Sequence, residues 1–352
     1  MSAWAMRATR AWSSVRSGAA ALGSRRFAVD VEQIKKLRDR TGAPIMQVKR
    51  ALQEADGDVE RALRQLHKMG AAQAAKKKMR TTAQGLVAAL VSPPTAALQS
   101  NGGHASQTAV LAELRCETDF VARTKQFRDL IKAVLFSAQK LVDAGIMTQR
   151  AVTGPEFLEM DGSQQPAEAP PLSEQIEVAT GVLGEKLELR RVGLLVPPKP
   201  EDQKAVSLFS YVHGAVTEGH EAGRVATVIA LEHGPSADPL ALASAGRKFA
   251  MHVTAANPIC VHPDELTDED VKKGREYLRT VRGMSGEVLE DHLEQWKLDS
   301  VLNTQEFIGP HDTKMDDGST VNVAAVLIDT SIDVNSFPVA LRVTNFLRYE
   351  IQ

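Results

Sequence analysis

Phe127, Leu130, Ile131, Val134, Leu135, Ala138, Leu141 and Val142 recur at three- and four-residue steps until Gly145. That spacing makes a helix with one wide apolar face, and such a face must cover a sheet to leave water. Candidate strands lie close by. The apolar runs 85–91 and 108–114 flank a loop at 92–107 rich in Pro, Asn and Gly, which reads as a hairpin. After the helix, residues 150–171 read as a surface loop, on the strength of Asp161-Gly162-Ser163 and of Pro166, Pro170 and Pro171. Ser173 then caps a helix ending near Gly184, followed by a strand at 187–196 and a linker with Pro197, Pro198 and Pro200.

The second half repeats this style, with strands at 205–213 and 224–231 and a helix at 239–255. Two helices at 267–281 and 286–297, separated by Arg282-Gly283-Met284-Ser285, fit a hairpin. Terminal strands at 305–308 and 340–351, with a helix at about 320–328 between them, complete an α+β reading with antiparallel sheets. Ahead of all this, three short amphipathic helices form a small bundle. Asp30 and Gln33 make a capping-box-like start, Thr41-Gly42-Ala43-Pro44 breaks the first helix, and Asp56-Gly57-Asp58 separates the second from the third. A linker follows at 71–84. The expected division is a bundle at 28–75, one α+β subdomain at 76–200, and a second at 201–352 that includes the hairpin at about 267–297.

Composition narrows the function. The 352 residues are 43% hydrophobic and 24% charged, the balance of a soluble globular protein, and no run approaches the ~18 apolar residues of a membrane span. Two cysteines, Cys116 and Cys260, match neither a disulfide framework nor a zinc motif, and a reducing compartment fits them best. Residues 1–27 hold five arginines and no acid, so the remainder has 37 basic against 44 acidic residues and a net charge of −7. The acid-free segment has the composition of an organellar transit peptide processed near Phe27, with the mitochondrial matrix as destination and a plastid as the weaker alternative. A mature chain at −7 is a poor binder of nucleic acid, whose affinity comes from neutralised phosphates. The one dense basic run, Ala75-Lys76-Lys77-Lys78-Met79-Arg80, reads as a solvated helix end or linker.

Motifs for chemistry are few. There is no Gly-x-x-x-x-Gly-Lys-Ser/Thr and no Gly-x-Gly-x-x-Gly, so no bound nucleotide is expected. Nine histidines are scattered with no metal-ligand pair; His252 and His262 lack a third ligand, so no metal or other cofactor is expected. Cys116 ends a strand and is better explained as a small apolar residue than as a nucleophile. The unusual element is Cys116-Glu117-Thr118-Asp119-Phe120-Val121-Ala122-Arg123, a polar junction carrying a large aromatic. Two readings compete for it. Phe120 is either an exposed wedge or, seven residues before Phe127, a core residue on the same helical stripe with Thr118 or Asp119 as N-cap. Spacing alone favours the second.

The octapeptide closely resembles the signature of the elongation factor Ts family, Asn-Cys-Glu/Gln-Thr-Asp-Phe-Val-Ala, with Arg115 in place of the Asn. Leu37-Arg38, Arg40-Thr41-Gly42-Ala43, Met46, Lys49, Ala51-Leu52 and Asp56-Gly57-Asp58 resemble the family's ubiquitin-associated-like first domain. Leu183-Gly184-Glu185, Arg190-Arg191, Tyr211-Val212-His213, Met251-His252-Val253 with Pro258, Gln305-Glu306-Phe307 and Phe346-Leu347-Arg348-Tyr349-Glu350 extend the likeness to the C-terminus. Pro44, Lys186, Thr254 and Glu306 depart from the usual Gly, Asn, Ala and Pro.

The resemblance implies a guanine-nucleotide exchange factor without bond-making chemistry. Its partner would be mitochondrial elongation factor Tu, GDP-bound and then nucleotide-free, with no direct contact to nucleic acid or membrane. It implies Phe120 as a wedge in the partner's nucleotide domain, Asp119 as its hydrogen-bonding neighbour, and Thr118 and Val121 as fixing the turn. Further contacts carried over by likeness are Lys49, Leu183, Gly184, His213 and Ile308. The 267–297 pair resembles a coiled-coil hairpin that dimerises some bacterial members, although Val288, Leu289, Leu293 and Trp296 equally suit packing onto the core. The competing functions are a noncatalytic scaffold that binds partners through its helical bundle and, last, a thiol enzyme using Cys116.

Overall fold

Three helices open the part of the chain that the computed structural model describes, which comprises residues 30–93, 107–164, 170–197, 204–215, 222–235, 237–308, 323 and 341–352. The 1–27 segment, most of the 92–107 loop, Pro198, Pro200 and, apart from Val323, the helix expected at 320–328 lie outside those residues. Helix α1 (Val31–Thr41) begins where the Asp30 carboxylate accepts the Glu32 N–H at 3.1 Å and ends where Gly42 turns left-handed at φ 66°. Helices α2 (Ile45–Glu54) and α3 (Val59–Lys77) follow, the second capped by Asp58, which accepts the Glu60 and Arg61 N–H groups. Leu37, Val48, Leu52, Ala62 and Leu66 close the bundle's core.

The core proper is built on strands buried on both faces. The first sheet contains β1 (Gln84–Val91), β2 (Ala109–Cys116), β3 (Ala151–Thr153), β4 (Glu188–Leu195) and β6 (Ala222–Gly223), in the order β3-β4-β2-β1-β6. The second has the order β5-β7-β8, from β5 (Ala205–His213), β7 (Val225–His233) and β8 (Arg342–Glu350). Every pairing between these strands is antiparallel among the described residues. One face of the first sheet, with Leu86, Val110, Leu114 and Val192, packs against α5 (Lys125–Asp143), whose whole apolar stripe is buried. Its other face, with Val87, Leu111 and Leu195, meets Leu208, Val228 and Leu347 of the second sheet. The far face of the second sheet, with Ile229 and Val343, is covered by α8 (Pro239–Ala256) through Phe249 and Val253. The layers therefore run helices, sheet, sheet, helix. An α+β class with antiparallel sheets is what the strand and helix patterning indicated.

This double burial explains why β7 is buried along its whole length and why β2 reads as a continuous apolar run, not as the alternation usual in antiparallel sheets. It also places a carboxylate inside β2. Glu113 is 0% exposed, and its two oxygens take Arg115 Nε and Arg191 Nε, each at 2.6 Å, while the Arg191 guanidinium lies 3.9 Å from the centre of the Tyr349 ring. The contact between Arg191 and Tyr349 joins the two sheets.

Four local expectations are corrected. The stretch 150–171 is not a plain loop: β3 and α6 (Gly154–Gln164) occupy its first part, because Val152 and Phe157 enter the core. The Asp161 that signalled a turn is instead buried, accepting from Ser137 Oγ and, at 2.9 Å, from the Leu172 N–H. Pro171, not Ser173, precedes α7 (Leu172–Leu183). The 71–84 linker begins late, because α3 continues to Lys77 against α7. Gly70 and Gly181 permit that approach, a Cβ on Gly181 falling 2.9 Å from the Gly70 Cα. Among the described residues, 305–308 form no strand ladder; Gln305, Phe307 and Ile308 are held against α8 through His252 and Phe249 instead. The helical pair, α9 (Asp268–Thr280) and α10 (Gly286–Ser300), closes on a small cluster of its own from Leu278, Leu289 and Leu293, with Trp296 lying over Gly274 and Val288 exposed.

The inter-sheet seam yields a test. A Cβ on Gly193 would lie 2.4 Å from the Tyr349 hydroxyl and 2.7 Å from Leu347 Cδ2. Gly193→Ala should lower unfolding stability by about 1–3 kcal/mol, the usual range for overpacking, read as a shifted urea midpoint.

Candidate functional site

β2 delivers the chain to a short turn that is fastened from outside. The Thr118 N–H donates to Glu185 Oε2 at 2.9 Å and its hydroxyl to Glu185 Oε1 at 2.5 Å. In return, the Lys186 N–H donates to Glu117 Oε1 at 2.7 Å, and that bond, with Arg80 3.3 Å away, holds the Glu117 carboxyl below the usual carboxylate range. Lys186 Nζ also reaches the Arg80 carbonyl at 3.0 Å and Glu188 at 2.9 Å. Three segments far apart in sequence meet here: the end of the α3–β1 connection, the octapeptide, and the loop after α7.

The helix that follows is broken. α4 (Asp119–Ala122) lasts one turn before Thr124 starts α5, its hydroxyl accepting the Phe127 N–H at 3.3 Å and donating to the Val121 carbonyl at 2.8 Å. Arg123 and Thr124 thereby take Phe120 off the α5 stripe. Phe127 is 0% exposed and Phe120 79%, so the single-stripe reading favoured by spacing is overturned. Val121 and Ala122 point into the core, and Asp119 pairs with Arg123 at 3.1 Å. A bare aromatic ring forgoes about 1.5–3 kcal/mol of burial, which becomes available on contact with a partner surface.

The other residues singled out fall as follows. Gly184 is the left-handed C-cap of α7 at φ 78°, exposed, and Leu183 is half-buried beside it. Lys49 is exposed on α2, next to the exposed Met46. The α1–α2 turn abuts the start of α5, with Gly42 against Gln126 and Val182. His213 is exposed at the end of β5, and its carbonyl accepts the Arg224 N–H at 2.9 Å; Arg224 Nη1 in turn reaches Gln84, which pairs with Cys116. Thr118, Phe120, Leu183, Gly184 and His213 therefore occupy one end of the molecule. Val121 lies beneath it.

Ile308 is 53% exposed and held by a histidine. Its N–H donates to His252 Nδ1 at 3.0 Å, so the proton of that ring sits on Nε2, 2.9 Å from Gln305 Oε1. Phe307 stacks on the ring at 5.4 Å. His252 is buried, and that burial, which Gln305 only partly opposes, lowers its pKa from 6.5 and keeps it neutral.

Cys116 does not suit a nucleophile. Burial, reinforced by Glu185, pushes its thiol up to about 12, and the sulfur donates to the Thr118 carbonyl at 3.1 Å. Among the described residues no group of three or more His, Cys, Asp or Glu is arranged to hold a metal. Sequence reading gave no role to Glu117, Glu185 and Lys186, whose partners lie 67–69 positions away. It also missed Glu113, for which the one available signal was a carboxylate inside an apolar strand.

The family described as Elongation factor TS matches residues 117–352. "Elongation factor Ts" of Xanthobacter autotrophicus is 30% identical over 329 residues, covering 92% of each chain. "Elongation factor Ts" of Rhodopseudomonas palustris is 32% identical over 312 residues, covering 86% of this chain and 89% of the relative. The Arthrospira platensis protein of the same name is 33% identical over 263 residues, covering 75% and 88%.

Two outcomes follow from the titrating groups. Cys116 should resist a thiol reagent at pH 8 in the folded chain and react once urea unfolds it. His252, with its folded pKa below its unfolded value near 6.5, binds its proton more readily when unfolded; its contribution to stability is complete above pH 6.5 and declines as pH falls below it. The urea midpoint should drop between pH 7 and pH 5, and less so in His252→Gln.

Proposed function

The chain belongs to the elongation factor Ts family, and from that premise we propose that it is the guanine-nucleotide exchange factor of mitochondrial elongation factor Tu. It binds the GDP-bound partner, promotes GDP release, and leaves when GTP enters. One observation carries the reading: Phe120 stands exposed on a turn fastened on both sides. The ring wedges into the partner's nucleotide domain and disturbs its magnesium and phosphate contacts, with Asp119 as its polar neighbour. Thr118 and Val121 hold the turn from behind. Lys49, Leu183, Gly184, His213 and Ile308 supply the surrounding contacts.

No bond is made or broken in such a cycle. If the factor weakens GDP binding by some ratio, GDP weakens binding of the factor by the same ratio, and exchange is that reciprocity run in sequence. The acid-free, Arg-rich segment at 1–27 supports delivery to the mitochondrial matrix, where it would be removed. The remaining charge of −7 suits a protein partner better than a nucleic acid.

The test loads mitochondrial elongation factor Tu with fluorescent GDP and follows its release. The wild-type chain should accelerate release. Phe120→Ala should fold with stability within about 0.5 kcal/mol of wild type, since the ring is exposed, and should lose about 10- to 100-fold in acceleration, the scale of a buried aromatic hot spot. A folded wild-type chain that does not accelerate release would sink the exchange assignment in favour of a scaffold.

A further inference from the structure

Resting on the exchange reading, we propose that Glu185 is a positioning residue: it aims the Phe120 ring by gripping Thr118, without itself meeting the partner's nucleotide. The usual N-cap arrangement would have the Thr118 hydroxyl accept from the first turn of α4. Here it makes no such bond and is given to Glu185. Thr118 is then held on three sides: its N–H and hydroxyl by the two Glu185 oxygens, and its carbonyl by the Cys116 thiol. Phe120 follows two residues later on a helix of four residues, too short to set its own direction.

Glu185 can impose a direction because its own backbone is anchored. Gly184 closes α7, its N–H donating to the Thr180 carbonyl at 3.1 Å, and the next residue, Lys186, returns a bond to Glu117. The grip is thus reciprocal, carboxylate to backbone in both directions. It transfers the rigidity of α7, which is packed on α3, α5 and α6, to the turn at Glu117 and Thr118. Bonds to a carboxylate are the stronger kind, and two on one residue fix orientation as well as distance.

Substitutions separate aiming from folding. In Glu185→Gln the amide oxygen accepts the Thr118 N–H and the amide nitrogen donates to the Thr118 hydroxyl, whose own hydrogen rotates away, so both bonds persist. Glu185→Ala removes both. The maximal rate of GDP release from mitochondrial elongation factor Tu at saturating factor should fall about tenfold in Glu185→Ala, with the half-saturating concentration changed less than about threefold. It should return to within about twofold of wild type in Glu185→Gln.

Amide hydrogen exchange of the free chain supplies a readout that needs no partner. Thr118 should be protected in wild type and Glu185→Gln and lose that protection in Glu185→Ala. A folded Glu185→Ala with wild-type maximal rate would overturn the proposal. So would a change confined to the half-saturating concentration, which would make Glu185 an ordinary contact. If Glu185→Ala does not fold, Thr118→Val, which deletes one of the two bonds, decides by the same maximal rate, and an unchanged rate again overturns it. If wild type itself fails to accelerate release while the Thr118 protection pattern holds, the exchange reading falls and the grip survives as a structural fact without the aiming role.

Discussion

Two antiparallel sheets lie face to face, the first with helices and the second with α8 on its outer side, and this double burial governs everything else in the core. A strand in that position has no solvent face, so β2 and β7 must be apolar almost throughout. Any polar group they carry must find its partner inside. Glu113 meets that demand with Arg115 and Arg191, and Thr227 does so with Thr254 at 2.8 Å. Functional groups are consequently pushed to strand ends. The octapeptide sits where β2 leaves its sheet, and His213 sits where β5 leaves the other.

The same constraint decides what can be read from the sequence. The stripe from Phe127 to Val142 dictates its own helix, and the apolar runs at β1, β2, β5 and β7 sit close to their expected places, because burial alone specifies them. Features that rest on pairing between distant residues do not show in a local pattern. Residues 150–164 carry loop-like residues, yet Phe157 is buried and Asp161 is satisfied by Ser137 and Leu172. The alanines after Gly70 look like a linker until α7 is placed against them.

Phe120 is the instructive case at the site. Its spacing from Phe127 suits one continuous helix, and a single threonine undoes that reading: Thr124 recaps the chain and turns the two rings apart. Family resemblance singled out Phe120 without saying why it is exposed. The clamp that exposes it joins residues on either side of α5, α6 and α7, so no window along the sequence contains it. The substitution of Arg for Asn at 115 likewise gains meaning only beside Glu113 and the Gln352 carbonyl, 3.5 Å from its guanidinium.

The pairing of β8 with β7 bears on how the molecule assembles. Val225 faces Glu350 across the ladder, so closing the second sheet means joining chain segments separated by the whole of α8, α9 and α10. Loop-closure entropy makes such contacts late and slow, whereas the bundle and the α9–α10 hairpin, each with its own cluster of neighbours close in sequence, can form early. Until β8 docks, the inner faces of β2 and β4 that it helps to cover, and the edge of β7 that it pairs with, stay open to water. The interval before that closure is therefore the period in which the nascent molecule is most exposed to aggregation.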